Sequence, residues 1–366
     1  MNNYLKLTFS FFALIAITFS TNTISQEIEE VVVTATKKEE STQDIAVSIT
    51  AITADQLAAD QIYDLQDLAE IVPGFGVAKG IGSGSGFVMR GIGSYGVGAA
   101  VVSSIVTSIN GHSVNPSVMN DIGFMDLERI EVLNGPQGTL FGRNSVAGVI
   151  NLITARPTNE FEGYMDYESG TFDKETVKGA INMPFSDTVR ARLAFVSNVR
   201  DGMIDNLITG NKMDDRNDQG VRLSVDWDIN DKTELKFTYS GQKSDDNRPQ
   251  EEISYCQQDA FFGCSPWERG TPNTAADSRG IGAGLFSFIA ALYPGTITND
   301  YRFSPTTSEL NKLAIDRKPT HVQDIEFSNL ELVRELSDNL TMTAKYSYET
   351  RRFQQMNDND GSTSLA

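Results

Sequence analysis

The chain has 366 residues, with 30 lysines and arginines against 49 aspartates and glutamates, so its formal net charge at pH 7 is -19. This acidity argues against non-specific binding to nucleic acid or to anionic lipid, because their phosphates would be repelled. Two histidines and two cysteines cannot build a His- or Cys-rich metal centre, and no apolar run approaches the roughly 20 residues of a membrane helix.

Residues 1–25 have the layout of a secretory signal peptide. Lys6 precedes an apolar run over residues 7–19, and small residues follow up to Ser25. This order of charge, apolar run and small residues predicts cleavage after Ser25 and export to an oxidising compartment.

Residues 26–44 form a polar, charged tail that one β-branched stretch interrupts, from Val31 to Ala35. The stretch has no proline or glycine, and nothing beside it in the sequence offers a core to join. Alone it would read as a chance apolar patch in a disordered tail.

Residues 45–155 combine short helical and strand signals and predict a compact α+β domain. Thr53 and Gln56 form a capping box that opens a helix through Ala59, and Asp64 can cap a second helix that ends before Pro73. Strands are expected around 87–90, 105–109, 127–133 and 146–154, with Asn110-Gly111 as a hairpin turn.

Residues 156–366 are expected to form part of a barrel, because apolar and polar side chains alternate over 160–245 and again from 323 to about 353, which predicts antiparallel strands. In the stretch 221–229, every odd position is apolar and every even position is polar. A period of two places all apolar side chains on one face of a strand. Seven strands are predicted, at 160–170, 174–186, 188–200, 218–230, 233–245, 323–337 and 339–353, with a long loop at about 246–322. The stretch 325–336 changes phase, and a bulge there would reconcile it.

Two architectures accommodate such strands: a soluble sandwich, or a membrane barrel with lipid outside and water inside. The signal peptide, the alternation of tight turns with long loops, and aromatic residues near strand ends favour the barrel. The aromatic residues are Tyr164, Tyr167, Phe172, Phe185, Trp227, Tyr239, Tyr348 and Phe353. Seven strands leave an open edge, so we expect the barrel to be incomplete in this chain and the chain to be a fragment.

Several separate stretches resemble the TonB-dependent outer-membrane receptor family. Residues 29–40 resemble its TonB box and flank, 65–74 its second plug helix, and 88–93 its Ile-Arg-Gly motif. Residues 126–144 match its longest signature, and 148–154 complete the plug. Asn134 stands where the family usually has arginine, and Asn110-Gly111 where it commonly has Asp-Gly.

The resemblance implies a plug domain followed by the first strands of a transmembrane barrel. It also implies that the periplasmic protein TonB binds the tail by strand addition. The residues expected to bind TonB are Glu30, Val31, Val32, Val33, Thr34 and Ala35. The residues expected to make plug–barrel ion pairs are Arg90, Glu128, Arg129, Glu131 and Arg143. For each of these the alternative is a solvated surface charge, which contributes little.

Other candidate sites carry less weight. Residues 91–96 match Gly-x-Gly-x-x-Gly, but Gly98 stands where a helix should grow, and no acidic residue follows at the required distance, so we reject a dinucleotide site. Cys256 and Cys264, eight residues apart in an exported loop, favour a disulfide over metal ligands. His112 and His321 are isolated, and no catalytic constellation, metal site or cofactor site is predicted.

The sequence therefore predicts an active importer of the Gram-negative outer membrane rather than an enzyme. Its tail would lie in the periplasm, lipid would surround the barrel, and an extracellular small molecule would be the cargo. Among the family's cargoes an iron–siderophore chelate is the most usual. The alternatives are a passive porin-like or adhesive barrel, an inactive truncated receptor, and a periplasmic enzyme or binding module on a sandwich fold.

Overall fold

The computed structural model describes two large portions of the chain and several short pieces. The described residues are 32–34, 40–41, 47–79, 85–93, 103–114, 124–206, 209–248 and 318–356, with short pieces at 255–256, 258–259, 263–264, 271–272, 292 and 312–313. The predicted signal peptide at 1–25 and the predicted TonB-binding residues Glu30, Val31 and Ala35 lie outside them.

The first half of the chain forms a tail hairpin and a mixed α+β domain, which we call the plug. In the tail, β1 (Val32–Val33) pairs antiparallel with β2 (Glu40–Ser41). The plug consists of β3 (Ile49–Thr53), α1 (Ala54–Ala59), α2 (Leu65–Ile71), β4 (Phe75–Lys79), β5 (Ser85–Met89), β6 (Ile92–Gly93), β7 (Ile105–Ile109), β8 (His112–Val114), β9 (Leu127–Asn134), α3 (Gly138–Phe141) and β10 (Gly148–Thr154).

Both predicted helix starts are confirmed by their caps. The Thr53 hydroxyl accepts from the Gln56 backbone N–H at 3.3 Å, while the Gln56 side chain accepts from the Thr53 N–H at 3.1 Å. Asp64 caps α2 in the same way, accepting from the N–H groups of Gln66 and Asp67. These bonds satisfy N–H groups that a helix leaves without partners in its first turn.

The plug is built around a five-stranded sheet in the order β3-β9-β10-β7-β8, in which only the β10–β7 pair is parallel. One face packs against the helices through Leu57, Leu65 and Leu68, which are almost fully buried. Alternate residues of the same strands point to the opposite face, where they meet the tail.

The second half forms a seven-stranded antiparallel sheet. Its elements in chain order are β11 (Glu162–Gly170), β12 (Lys174–Pro184), β13 (Val189–Arg200), β14 (Ile204–Asn206), β15 (Lys212–Met213), β16 (Arg216–Asn230), β17 (Thr233–Asp246), β18 (Tyr255–Cys256), β19 (Gln258–Asp259), β20 (Gly263–Cys264), β21 (Thr271–Pro272), β22 (Lys312–Leu313), β23 (Thr320–Ser337) and β24 (Leu340–Met356). The large sheet has the order β11-β12-β13-β16-β17-β23-β24, so each long strand pairs with the next long strand along the chain. All seven predicted strands are confirmed, and the sheet is open, with β11 and β24 at its edges.

The connections are short at one end of this sheet. Residues 185–188, 231–232 and 338–339 make the turns there. At the other end, the connection 171–173 is short, whereas the connections 201–215 and 247–319 are long and carry the short strands β14, β15 and β18 to β22. We call these the tight-turn end and the long-loop end. Among the described residues, no helix combines the length and the apolarity needed to cross a membrane.

Alternation sorts the sheet into two faces. In β16, Arg222, Ser224 and Asp226 are buried and face the plug, whereas Val221, Trp227 and Ile229 are about 40–45% exposed on the outward face. The polar face therefore surrounds the plug, and the apolar face points away from it.

The prediction of a bulge where the apolar pattern of 325–336 changes phase is wrong, because the strand register is regular there. The register of β23 is continuous from Val322 to Arg334 against β17 and to Glu335 against β24, with a shift only between Glu335 and Ser337. The phase changes because the plug supplies an apolar surface: Phe327 faces inward and joins the plug core at 4% exposure, whereas Leu330 faces outward. Apolar side chains are thus favourable on both faces of this strand.

Two of the aromatic residues expected near the lipid face the plug side instead. The Tyr164 hydroxyl donates to Asp126 of the plug at 3.2 Å, and the Phe353 ring packs edge-on against His321 at 5.5 Å. Tyr167, Phe185 and Trp227 are exposed on the outward side or in the turns, as the barrel hypothesis requires.

Candidate functional site

The tail is held to the plug by one buried carboxylate. The backbone N–H of Thr34 donates to Glu131 Oε1 at 2.8 Å, and Arg129 Nε donates to the same oxygen at 2.9 Å. Asn151 Nδ2 donates to the other oxygen at 3.0 Å. Glu131 and Val33 are both fully buried. We call this group, Val33, Thr34, Arg129, Glu131 and Asn151, the tail contact.

The strand pattern explains why these residues meet. Glu131 lies directly opposite Asn151 in the β9–β10 pair, and Asn151 lies opposite Ser108 in the neighbouring β7. The Asn151 side chain accepts from the Ser108 hydroxyl at 2.7 Å and from the Gly111 N–H at 3.0 Å. Burying a carboxylate costs free energy of folding unless the group is paired and hydrogen-bonded. Glu131 is paired with Arg129 and hydrogen-bonded by Thr34 and Asn151, so both conditions are met.

The contact between tail and plug is small. Among the described residues it consists of the bond from the Thr34 N–H to Glu131, two weaker bonds of the Thr34 hydroxyl with Glu131 and Arg129 at 3.3 and 3.4 Å, and the burial of Val33. Within the described residues, Val32 and Val33 pair with the short β2. Such a segment can be removed from the plug without opening the five-stranded sheet.

Most of the residues predicted to make plug–barrel ion pairs have described partners within the plug and the tail. The guanidinium of Arg90 donates to Ser48 at 3.2 Å within the plug, and Arg129 pairs with Glu128 as well as Glu131. Arg143 is exposed. In the described part of the chain, the hydrogen bonds and ion pairs of Arg90, Arg129 and Glu131 lie within plug and tail, and their contacts with the barrel stay a prediction.

Asp126 makes the plug–barrel contact that sequence reasoning missed. Arg192 of β13 donates to both carboxylate oxygens, at 2.8 and 2.7 Å. Arg222 of β16 donates to the backbone carbonyls of Met125 and Asp126 at 2.7 and 2.6 Å. With the Tyr164 hydroxyl, these groups surround a carboxylate that is 4% exposed. We call Asp126, Tyr164, Arg192 and Arg222 the clamp.

The sequence contains one indication of the clamp, namely arginines at strand positions that face inward. Arg192 and Arg222 both occupy inward positions, where a charge needs a partner on the enclosed domain. The position of these arginines in their strands does not indicate which acidic residue of the plug is the partner. Asp126 immediately precedes β9 and has a backbone φ of 47°, and its side chain reaches the strands β11 and β13.

Arg156 ties the connection between plug and barrel to the same wall. It forms an ion pair with Asp226 of β16, and its guanidinium donates to Thr238 of β17 at 3.5 Å. Burial lowers the pKa of Arg156 from its ordinary value, and the carboxylates of Glu234, Glu331 and Glu128 act in the opposite direction. An arginine side chain keeps its positive charge in proteins, so this contact is an ion pair.

A cavity of about 330 Å³ lies between the plug and the first strands of the sheet, towards the long-loop end. The Tyr63 ring of the plug stands about 6 Å from the ammonium groups of Lys174 and Lys178. These lysines also pair with Glu168 and Asp166, at 2.7 and 3.8 Å. The cavity presents an aromatic ring, amine donors and carboxylates to whatever enters from that end.

The side chains of Cys256 and Cys264 lie outside the described part of the structure, so their disulfide stays a prediction. His112 packs edge-on against Phe327 at 6.3 Å, at the junction of plug and β23.

Comparison with known families and proteins gives one consistent answer. The model of the TonB-dependent receptor plug domain matches residues 41–149. The vitamin B12 transporter of Vibrio vulnificus is 31% identical over 135 residues, covering 35% of this chain and 21% of that protein. The ferrichrome outer membrane transporter and phage receptor of Escherichia coli is 29% identical over 142 residues, covering 38% and 18% respectively.

Solved structures show the same fold over most of the chain. The ferric yersiniabactin uptake receptor of Yersinia pestis has a TM-score of 0.64 at 18% identity, covering 84% of this chain and 41% of that one. The ferripyoverdine receptor of Pseudomonas aeruginosa has a TM-score of 0.61 at 16% identity, covering 87% and 36%. The chain thus spans about a fifth of the length of these curated relatives and about two fifths of these solved receptors.

Proposed function

We propose that this chain, which belongs to the TonB-dependent receptor family, is part of an outer-membrane receptor. This receptor takes up a scarce solute and uses energy that TonB delivers. The tail contact is the observation that carries the proposal. A short strand with one buried anchor suits a segment that a periplasmic partner must capture and pull.

In this proposal residues 30–35 add as a strand to a sheet edge of TonB, in the periplasm. Backbone hydrogen bonds supply affinity, and alternate side chains supply selectivity. The bond from the Thr34 N–H to Glu131 competes with that capture, since the same N–H cannot serve both partners.

Substitution by proline tests the strand addition. Proline lacks an N–H and breaks a ladder, so Val32→Pro should abolish binding of the purified TonB C-terminal domain, measured by pull-down with the detergent-solubilised protein. Gln26→Pro, which lies outside the predicted box, is the control and should bind as the parent does. Equal binding by both variants would contradict the assignment of the box.

Uptake distinguishes the importer from a passive barrel. Deleting residues 31–35 should abolish solute accumulation in cells, whereas a porin-like or adhesive barrel would be unaffected. Proper insertion of the deletion variant is checked by its amount in the outer-membrane fraction. Undiminished accumulation by the variant would favour the passive alternative.

We propose an iron–siderophore chelate as cargo, supported by relatives and neighbours whose names specify ferrichrome, ferric pyoverdine and ferric yersiniabactin. A vitamin B12 transporter also stands among the relatives. Uptake of labelled ferric siderophores and of labelled cobalamin, measured side by side in cells that express the complete receptor, decides between the two classes.

A further inference from the structure

A second cavity lies mainly on the outward face of the seven-stranded sheet. It measures about 980 Å³ and lies near the long-loop end. Its outward-facing lining comes mainly from Gln219, Tyr239, Gly241, Lys243, Asp324, Glu326 and Arg352. Neither the tail contact nor the clamp includes any of these residues.

The cavity begins where the apolar surface of the sheet ends. Outward positions of β24 are apolar or aromatic from Leu340 to Tyr348 and then change to Thr350 and Arg352. At about 3.3 Å per residue and a tilt of about 40°, the apolar stretch rises roughly 20 Å, close to the band of about 25 Å that a barrel presents to lipid. The cavity therefore lies at the level of lipid headgroups.

Two cations flank a carboxylate across the cavity. Lys243 of β17 lies opposite Asp324 of β23, and Asp324 lies opposite Arg352 of β24. With strands about 4.8 Å apart, the two cationic residues stand about 10 Å apart on the sheet. Lys243 and Arg352 are exposed, and none of the ion pairs between described residues involves either of them.

Gly241 makes the depression between these charges. It lies opposite Glu326 in the next row, and a Cβ at this position would lie 3.3 Å from the Tyr239 hydroxyl. The absence of a side chain leaves the Tyr239 ring and hydroxyl as the floor, with the charged residues around it.

We propose that this hollow binds the phosphorylated headgroup of an outer-leaflet lipid. The inference rests on the proposed outer-membrane location. The Arg352 guanidinium and the Lys243 ammonium donate to phosphate oxygens, and the Tyr239 hydroxyl donates from below. Asp324 and Glu326 lie where the divalent cations that accompany neighbouring phosphates can bind.

The surroundings favour a lipid over a free anion. The apolar rows directly beneath the hollow, which include Phe237, Leu330 and Tyr346, offer a surface for the acyl chains attached to the headgroup. The chain as a whole carries a charge of -19, which disfavours non-specific binding of any anion, so specific binding at this position requires the two local cations and the apolar surface for the acyl chains together.

Binding of a defined lipid tests the proposal. The full chain in detergent, in buffer containing magnesium, is titrated with diphosphoryl lipid A and with its dephosphorylated form. We expect the phosphorylated form to bind at least tenfold more tightly, and the double variant K243Q/R352Q to lose that preference. Gly241→Val, which fills the hollow and displaces the Tyr239 hydroxyl, should weaken binding severalfold.

The matched control is K232Q/R334Q, which removes the same charges from the tight-turn end and should keep the preference. Equal binding of both lipid forms by the parent, or an unchanged preference in K243Q/R352Q, would overturn the inference. Displacement of the lipid by millimolar inorganic phosphate would assign the hollow to a free anion and would also overturn it. A chain absent from the outer-membrane fraction would instead defeat the proposed function, so the two failures are distinguishable.

Discussion

Asp126 has a strained backbone conformation and a buried charge, and each of these costs free energy of folding. Both are retained because the residue connects the plug to the barrel strands. Its backbone lies in the left-handed region at a φ of 47°, and its carboxylate is almost fully buried. Two arginines and a tyrosine of three different barrel strands satisfy it. One plug residue thereby fixes the start of β9 relative to the wall.

Asp126→Asn should loosen the plug. Removing one partner of a buried ion pair typically costs about 3–5 kcal/mol, because the remaining charge keeps its desolvation cost. Asp228→Asn is the control, since Asp228 pairs with Arg190 at 2.7 Å but is 36% exposed, and it should cost less than about 1 kcal/mol. Urea unfolding, followed by proteolysis of the plug, measures both; equal costs would contradict the clamp.

The residues that sequence reasoning found and those it missed differ in the range of their interactions. Thr53, Asp64 and Asn110-Gly111 act on neighbours within a few residues, so their roles were predicted and are confirmed. Asp126 meets Arg192 across 66 positions, and Glu131 meets Thr34 across 97. No local pattern contains such pairings, and only the assembled register brings them together.

At the scale of elements, β23 shows how an enclosed domain alters a barrel strand. Its even positions carry Leu330 and Leu332 outward, while Ile325 and Phe327 on the odd positions are 2% and 4% exposed against the inside. The sequence pattern alone suggested a bulge, because alternation was read for one apolar face. The structure explains the phase change by a second apolar partner, the plug core.

Phe327→Ala tests that docking. Truncating a buried phenylalanine costs about 3–5 kcal/mol, and here the loss should appear as plug release rather than as unfolding of the sheet. Leu330→Ala, on the outward face of the same strand at 40% exposure, should leave the plug in place. Protease protection of the plug measures the difference; the same loss of protection in both variants would contradict the contact.

Gly111→Ala tests the β7–β8 hairpin. Asn110 and Gly111 have φ values of 51° and 75°, as a turn with two left-handed residues requires. A side chain at Gly111 should cost about 1 kcal/mol through backbone strain. Gly138→Ala is the control, because no positive φ and no atom within 4 Å oppose it. Thermal unfolding compares the variants, and a midpoint for Gly111→Ala at or above that of the control would argue against this turn geometry.

For the whole molecule, the decisive feature is which face of the large sheet meets the plug. The polar face encloses the plug, the clamp and Arg156, and the apolar face points outward. A soluble sandwich would require a second sheet against the apolar face. Composition and alternation predicted this arrangement, whereas the placement of the plug against particular strands depended on contacts that only the fold reveals.

An arginine scan on one strand measures the depth of the membrane. Val225→Arg lies in the middle of the apolar band and should destabilise the protein in lipid vesicles by about 2–4 kcal/mol. Gln219→Arg lies on the same strand and face but beyond the band, and should cost about 1 kcal/mol or less. Equal effects at both positions would contradict a membrane-embedded sheet.

The difference in length between the connections at the two ends of the sheet determines where insertions can accumulate during evolution. An extra residue in 231–232 or 338–339 would slip the pairing of two long strands and exchange their lipid and lumen faces. The same insertion in 201–215 or 247–319 leaves the pairs of the seven long strands in place. Lineages are therefore free to acquire new surface epitopes at one rim while the opposite rim stays fixed in length, and reporter tags belong in the permissive connections.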